Sequence, residues 1–262
     1  MTVSFAVLAY NEYDPTRARG VRLLRSLSAA REHPGIDEIV VVDDGSDDYE
    51  WLQGFLGDIP EVKLYHNETN LGVFLNKIEV VARSTSDWVI VSDSDNFKDT
   101  AHIDKALSLP LNPDVWYCPS FARPNFDYRK LTGEYDLETV SKFDFTIPFS
   151  RCCFNTGNQF VHRDSFMEVF GKYRGTKYWL DMWRHFPDVP LAERSTRYWR
   201  QVWDANDSLL FNMIWLRAGK RLSVVEGLEY EHYMSKSDSS NYNRSPAEKG
   251  TLGVALFEEL GE

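Results

Sequence analysis

The N-terminal part of the chain alternates short apolar runs with segments of helical periodicity, and this alternation restricts the possible folds more than any other feature. Apolar runs typical of buried strands cover Val3–Ala9 and residues 36–42, 62–65 and 87–92. Between them, residues 17–31 and 72–84 carry apolar side chains at helical spacing. Strands that alternate with helices over about 95 residues predict an α/β fold, a mostly parallel sheet flanked by helices.

Polar clusters follow three of these predicted strands. They are Tyr10-Asn11-Glu12 after the first strand, Asp43-Asp44 after the second and Asp93-Ser94-Asp95 after the fourth. Each cluster alone also fits a polar turn that ends a strand. Because ligands of open α/β sheets bind at the carboxyl ends of the strands, the three clusters together predict a binding site along one edge of the sheet.

Asp93 and Asp95 form a carboxylate pair directly after a buried run. Hard divalent cations prefer oxygen ligands, and Mg²⁺ takes only one or two protein carboxylates beside waters and phosphates. Such a cation can offset the negative charge that develops on a diphosphate leaving group. The pair is therefore chemically suited to hold a metal ion beside the diphosphate of a sugar nucleotide.

The composition is that of a folded, acidic protein. The 262 residues carry a net charge of −11, which argues against stable binding to nucleic acid. The three cysteines show neither zinc-site spacing nor a disulfide framework, which favours a reducing compartment. No secretory segment follows Met1, and no apolar stretch approaches the ~20 residues that span a bilayer. We therefore expect a cytoplasmic protein without a transmembrane segment.

The rest of the chain is less regular. Residues 110–150 are rich in turn residues and aromatics and carry no clear strand pattern. Predicted elements are strands at 159–162 and 222–225, and helices at 163–173, 208–218 and 252–260. Gly219 ends the helix at 208–218. Because no linker separates two parts, residues 1–262 are predicted to form a single domain.

Four segments resemble, in order, the motifs of GT-A glycosyltransferases, and the set is close to glycosyltransferase family 2. They are VSFAVLAYNE at 3–12, IVVVDDGSDD at 39–48, NLGVFLNK at 70–77 and SDSDN at 92–96. The resemblance implies a Rossmann-like GT-A domain, with a nucleotide-sugar-binding half at 1–100. It also implies an irregular, aromatic-rich acceptor-binding and catalytic half at 101–262.

The resemblance assigns roles to residues of the first half. It implies that Asp44 hydrogen-bonds the uracil of a UDP-sugar, and that Ala9, Tyr10 and Glu12 line the nucleotide pocket. The pair Asp93 and Asp95 corresponds to the family's Asp-x-Asp motif, which holds Mn²⁺ or Mg²⁺. Asp95 is the expected direct ligand, whereas Asp93 binds either the metal or the donor ribose. Asn96 stands where many relatives have another aspartate.

In the second half the resemblance points to a catalytic base. Asp207 opens a helical segment like the one whose aspartate deprotonates the acceptor hydroxyl in inverting members, with Asp204 as the fallback. Asp207 could instead serve only as a helix N-cap. His232 resembles a histidine that contacts metal or diphosphate in some relatives, although a lone histidine is more often structural.

Sugar and acceptor contacts are predicted from two segments. Asn158 lies in the segment 153–159, which in relatives faces the donor sugar and acceptor. Trp199 and Trp203 belong to the aromatic-rich stretch 178–203, which fits either a packed core or an acceptor subsite.

These observations predict a metal-dependent glycosyltransferase that moves a sugar from a UDP-sugar to an acceptor hydroxyl with inversion. The acceptor can be a glycan, a lipid-linked sugar or another hydroxyl compound. A retaining transferase and a catalytically inactive nucleotide-sugar-binding protein remain open. A nucleotidyltransferase fits less well, because the loop after the first strand lacks the glycines that such enzymes use to hold a triphosphate.

Overall fold

One mixed sheet organises the protein. The structure, a computed structural model, describes residues 1–13, 19–124, 126–141, 158–174 and 207–233. Nine strands of this described part form the sheet, in the order β3-β2-β1-β4-β8-β5-β9-β7, with β6 paired to β5.

The strands and helices alternate strictly up to residue 107. The first eight elements are β1 (Val3–Ala9), α1 (Arg19–Glu32), β2 (Glu38–Asp43), α2 (Tyr49–Gly57), β3 (Val62–His66), α3 (Val73–Arg83), β4 (Trp88–Asp93) and α4 (Thr100–Leu107). They are followed by β5 (Val115–Arg123), β6 (Phe126–Asp127), β7 (Gly133–Tyr135), α5 (Leu137–Ser141), β8 (Phe160–His162), α6 (Arg163–Phe170), α7 (Asp207–Arg217) and β9 (Arg221–Glu231). Two 3₁₀ turns cover Arg129–Leu131 and Gly171–Tyr173.

The parallel pairing of the first four strands brings their carboxyl ends to one edge. β1 pairs in parallel with β2 and with β4, so that Ala9 lies opposite Asp43 and Leu8 opposite Asp93. β2 pairs in parallel with β3. The predicted meeting of the three polar clusters at one edge is therefore confirmed by the strand register.

The central strands β1, β2 and β4 are buried on both faces, which explains why they are mostly apolar runs. All seven residues of β1 are buried. Alternate side chains such as Ala6 and Leu8 pack with those of α3, α6 and α7. Val7 and its neighbours Phe5 and Ala9 pack on the opposite face with α1, α2 and α4.

Most predicted elements are present within a few residues of their expected bounds, but six described elements were not predicted. These are α2, α4, β5, β6, β7 and α5. Pro119 lies in the middle of β5, where it obscures the strand pattern. The β5–β9 register shifts between Pro119 and Phe121, and Gly227 of β9 has φ 77 there, so a bulge accommodates the proline.

The strand predicted at 222–225 extends over the whole of β9. The helix predicted at 252–260 lies outside the described residues. Within the described part of the chain, no helix is both long enough and apolar enough to cross a membrane.

Candidate active site

The turn after β4 is held by side-chain amides. Asp93 is the last residue of β4, and its Oδ2 accepts hydrogen bonds from Asn96 Nδ2 at 2.8 Å and Asn158 Nδ2 at 3.0 Å. Asn96 is buried, whereas Asp93 and Asp95 are half-buried. One oxygen of Asp93 is therefore fixed by the protein, while the turn keeps partial access to solvent.

The end of β9 runs beside this turn. Phe97 and Glu231 exchange two backbone hydrogen bonds of 2.9 Å, and the Tyr233 backbone N–H donates to Asn96 Oδ1 at 3.3 Å. Asn96 thus donates to Asp93 and accepts from Tyr233. An aspartate at this position would lack the donor that Asn96 offers to Asp93.

His232 is brought to the site by the same pairing. Its ring packs 5.1 Å from that of Phe126, and its backbone N–H donates to Arg123 at 2.8 Å. Burial lowers the pKa of His232, Asp93 opposes this, and Lys98 adds to the lowering. A neutral imidazole at pH 7 is the form that can bind a metal ion.

The acidic pair supplies oxygen ligands, but the described residues do not build a closed metal cage. No group of three or more His, Cys, Asp or Glu side chains in the described part of the chain is arranged to hold a metal ion. Mg²⁺ and similar cations bind through one or two carboxylates and fill the rest of their shell with waters and phosphate oxygens. Asp93 and Asp95 fit such a site, in which protein carboxylates, water and phosphate oxygens together coordinate the cation.

Lys98 lies behind the turn and was not singled out from the sequence. It is fully buried, and its Nζ donates to Ser92 Oγ at 2.7 Å and to Asn158 Oδ1. The Nζ also lies 4.9 Å from the centre of the Tyr230 ring. Burial lowers the pKa of Lys98 to about 7, although Asp93 and Asp95 act in the opposite direction. No local pattern marks this residue, because its partner Asn158 is 60 positions away.

Asp44 joins the end of β2 to the start of α3. Its Oδ1 accepts from the Leu71 backbone N–H at 2.8 Å and from Asn67 Nδ2 at 3.1 Å, and its Oδ2 accepts from the Gly72 backbone N–H at 2.9 Å. Asp44 is buried, with 4% of its surface exposed. The segment NLGVFLNK is therefore attached directly to the Asp-Asp-Gly-Ser turn.

Asp43 and Ser46 attach the loop after β1 to the loop after β2. Asp43 Oδ2 accepts from the Ser46 backbone N–H at 3.0 Å and bonds His66 Nδ1 at 2.8 Å, while Ser46 Oγ donates to Asp43 Oδ1. Ser46 Oγ also accepts from the Asn11 backbone N–H at 2.8 Å. These contacts hold the two loops side by side at the edge of the sheet.

The predicted nucleotide-pocket residues after β1 differ in exposure. Ala9 is buried in the sheet, Tyr10 is 44% exposed, and Glu12 is buried, with its Oε1 accepting from the Tyr10 backbone N–H at 3.2 Å. Asn11 between them has φ 50. The structure therefore places an exposed aromatic ring and a buried carboxylate beside the Asp43–Ser46 loop.

Asp207 is the first residue of α7 and is buried. Its Oδ2 forms an ion pair with Nζ of Lys77, a buried residue of α3. Its Oδ1 has a long contact of 3.5 Å with Ser208 Oγ. The candidate base is thus attached to the segment NLGVFLNK, which also contacts Asp44.

The predicted sugar contacts are placed only in part. Asn158 is 1% exposed and bonds Asp93, Lys98 and the Tyr230 hydroxyl, so it supports the acidic turn from behind. A sugar contact of Asn158 stays a prediction. Trp199, Trp203 and Asp204 lie outside the described residues.

Comparison with known proteins decides the family. A family model described as glycosyl transferase family 2 matches residues 4–170. The chain belongs to glycosyl transferase family 2. The matched range of this family 2 domain includes the loops after β1 and β2, the acidic turn, Lys77, Lys98 and Asn158, whereas Asp207 and His232 lie beyond it.

Solved glycosyltransferase structures share the fold. The mannosyltransferase PcManGT from Pyrobaculum calidifontis, in complex with GDP-Man and Mn²⁺, has a TM-score of 0.57 at 15% identity, over 90% of this chain and 57% of that chain. GalNAc-T7 with UDP, GalNAc and Mn²⁺ has a TM-score of 0.58 at 15% identity, over 97% of this chain and 48% of that chain. TarS residues 1–349 from S. aureus, in complex with UDP, has a TM-score of 0.52 at 17% identity, over 90% of this chain and 61% of that chain.

At these identities the likeness establishes the GT-A fold. The chain spans about half to three fifths of the length of these three structures. No curated protein sequence matches it.

Proposed function

We propose that this family 2 protein is a metal-dependent glycosyltransferase that transfers a sugar from a UDP-sugar to an acceptor hydroxyl with inversion. The observation that carries the proposal is the meeting of three polar loops at one edge of the sheet. The acidic turn at Asp93 and Asp95 lies across β1 from the Asp43–Ser46 loop, with the loop after β1 between them. This is where ligands of open α/β sheets bind.

Asp93 and Asp95 are the residues that would hold Mn²⁺ or Mg²⁺. When bound, the cation supplies positive charge to the departing diphosphate. Asp95 is the proposed direct ligand, and Asp93 reaches the metal or the donor ribose through Oδ1, because Asn96 and Asn158 occupy Oδ2. His232, beside Asp93, is the proposed third contact. The Mn²⁺ in two of the structural neighbours supports this choice of cofactor.

Tyr10, Glu12, Ala9 and Asp44 are proposed to form the nucleotide site. Asp44 already accepts hydrogen bonds from α3 and its leading loop. A carboxylate is an acceptor for a uracil N–H, and Asp44 stands where the resemblance places the acid that makes this bond. UDP is the proposed nucleotide, supported by the UDP in two neighbours, although a third neighbour holds GDP-mannose.

Asp207 is the proposed general base. Lys77 occupies Oδ2, which leaves Oδ1 to accept the proton of the acceptor hydroxyl as the bond to the anomeric carbon forms. The position at the N-terminus of α7 also favours the ionised carboxylate.

Two variants test the proposal. Asp95→Ala should abolish turnover of the UDP-sugar, because the diphosphate loses its counter-ion. Asp207→Asn should bind UDP with Mn²⁺ as the wild type does, yet transfer about 10²- to 10⁴-fold more slowly, the usual contribution of a general base. Asp104→Asn, on the exposed surface of α4, is the matched control and should behave as the wild type.

The measurements are UDP-induced thermal shift with and without Mn²⁺, UDP release, and the anomeric configuration of the product by NMR. Turnover by Asp95→Ala at the wild-type rate would remove the metal assignment. A product that retains the donor configuration would replace inversion by retention. UDP binding without any metal-dependent release would favour an inactive binding protein.

A further inference from the structure

Lys98 has a buried amino group that forms no ion pair with any residue that the structure describes. Its exposed fraction is 0%, and its hydrogen-bond acceptors there are Ser92 Oγ and Asn158 Oδ1. An amino group buried in this way costs free energy that a methionine of similar length would not. Packing alone therefore does not explain why residue 98 is a lysine.

The ammonium group determines which way the amide of Asn158 points. A lysine ammonium can only donate hydrogen bonds, so the atom of Asn158 that faces it must be the carbonyl oxygen Oδ1. The Nδ2 group must then face away from Lys98. It donates to Asp93 Oδ2 at 3.0 Å and contacts the Tyr230 hydroxyl at 3.1 Å.

The orientation of Asn158 in turn determines how Asp93 is presented. Asn158 and Asn96 both donate to Oδ2, at 3.0 Å and 2.8 Å. Oδ1 accepts no hydrogen bond from any residue that the structure describes, and the side chain keeps partial exposure. A flipped amide would instead turn its own oxygen towards the carboxylate and repel it.

We propose that Lys98 is a positioning residue of the transferase site: by orienting the amide of Asn158, it holds Asp93 with Oδ2 bound to the protein and Oδ1 directed to the donor complex. This inference rests on the proposed function, in which Asp93 contacts the metal or the donor ribose. Lys98 itself touches neither. It acts through Asn158.

The first test is the dependence of UDP affinity on Mn²⁺, measured by calorimetry. Lys98→Met should weaken UDP binding in the presence of Mn²⁺ by about 10- to 100-fold, the usual effect of losing a residue that orients a metal ligand. Binding of UDP in EDTA should stay within about twofold of the wild type, since the substitution leaves the proposed nucleotide site at Tyr10, Glu12 and Asp44 unchanged. Lys98→Gln keeps a donor for Asn158 Oδ1 and should recover part of the loss.

Coupling between the two residues distinguishes positioning from general stability. If Lys98 acts through Asn158, the two substitutions remove the same interaction. The double variant Lys98→Met/Asn158→Ala should then bind UDP in the presence of Mn²⁺ as tightly as the single variant with the lower affinity. Lys63→Met, at the opposite end of the sheet where Lys63 pairs with Glu38, is the matched lysine control and should leave the Mn²⁺ dependence unchanged. Additive losses, or a wild-type Mn²⁺ dependence in Lys98→Met, would overturn the inference.

A crystal structure of Lys98→Met without ligands separates this inference from the proposed function. We expect Asn158 Nδ2 to leave Asp93 Oδ2, and an unchanged contact would refute the positioning role. If the wild type binds no UDP with Mn²⁺, the proposed function fails, and the crystal structure still decides what Lys98 does. If Lys98→Met does not fold, Lys98→Gln replaces it in both experiments. In that variant we expect the hydrogen bond from Asn158 Nδ2 to Asp93 Oδ2 to be longer than the 3.0 Å of the wild type.

Discussion

At the scale of the residue, Gly45 shows why the Asp-Asp-Gly-Ser turn needs a glycine at its third position. Gly45 has φ 68, a conformation that L side chains rarely adopt. A Cβ atom there would lie 2.4 Å from the Asn70 backbone nitrogen and from the Thr69 carbonyl carbon. The turn can therefore lie against the Asn70-Leu71-Gly72 loop, where Asp44 bonds two backbone N–H groups.

Gly45→Ala should accordingly lower the free energy of unfolding by at least about 1–2 kcal/mol, the cost of a left-handed alanine before the clash is added. The control is Gly54→Ala in the exposed part of α2, where nothing lies within 4 Å of the added Cβ. That change should instead raise stability by about 0.5–1 kcal/mol. Urea denaturation of both variants measures the two effects, and equal values would contradict the role of the turn.

At the scale of the element, one carboxylate joins the amino-terminal ends of the parallel strands. Glu38 opens β2 and accepts hydrogen bonds from Ser4 of β1, Lys63 of β3 and Thr85, which precedes β4. Burial alone would raise the pKa of Glu38, but the hydrogen bonds from Lys63, Ser4 and Thr85 outweigh it, and the pKa is lowered. The carboxylate therefore cross-links β1, β2, β3 and the segment that leads into β4.

This predicts a pH-dependent loss of stability. Because the pKa of Glu38 in the folded protein lies below its ordinary 4.5, its contribution is full above about pH 4.5 and is lost as the pH falls through the folded value. Glu38→Gln should lower the free energy of unfolding at pH 7 by about 1–3 kcal/mol, the cost of disturbing buried hydrogen bonds. The difference from the wild type should shrink in acid.

The matched control is Glu61→Gln, since Glu61 pairs with Arg31 on the surface and its loss should leave the free energy of unfolding close to that of the wild type. Urea unfolding at pH 7 and pH 3 makes the comparison. A difference between Glu38→Gln and the wild type that is the same at both pH values would contradict the assignment to this carboxylate.

At the scale of the whole molecule, an ion pair joins the two halves of the chain. Lys77 and Asp207 are 130 positions apart, and both are buried. The pair attaches α7, with the candidate base at its start, to α3, which begins beside Asp44. The ion pair therefore connects the proposed nucleotide site with the proposed catalytic base.

Lys77→Met should lower the free energy of unfolding by about 3–5 kcal/mol, because it leaves Asp207 buried without its partner. The double variant Lys77→Met/Asp207→Leu, which removes both charges, should recover most of that loss. Chemical denaturation of the single and double variants tests the pair. A double variant less stable than Lys77→Met would show that the two side chains stabilise the fold independently.

Local patterns in the sequence are sufficient to predict the architecture of the first half and the edge of the sheet at which the candidate site lies. Apolar runs and helical spacing are local patterns, and they predicted β1 to β4, α1 and α3 within a few residues of their bounds. The acids follow those runs directly, so a parallel sheet must bring them to one edge. The family resemblance of the four motifs was recognised from the same residues and is confirmed by the match over residues 4–170.

Only the tertiary structure decided which side chains support that site. Lys98 meets Asn158 across 60 positions, and Lys77 meets Asp207 across 130. The β5 strand was missed because Pro119 breaks its pattern, and only its pairing with β8 and β9 makes it a strand. Hydrogen bonds and ion pairs between distant segments leave no periodic trace in either segment, so their partners become known only when the chain is folded.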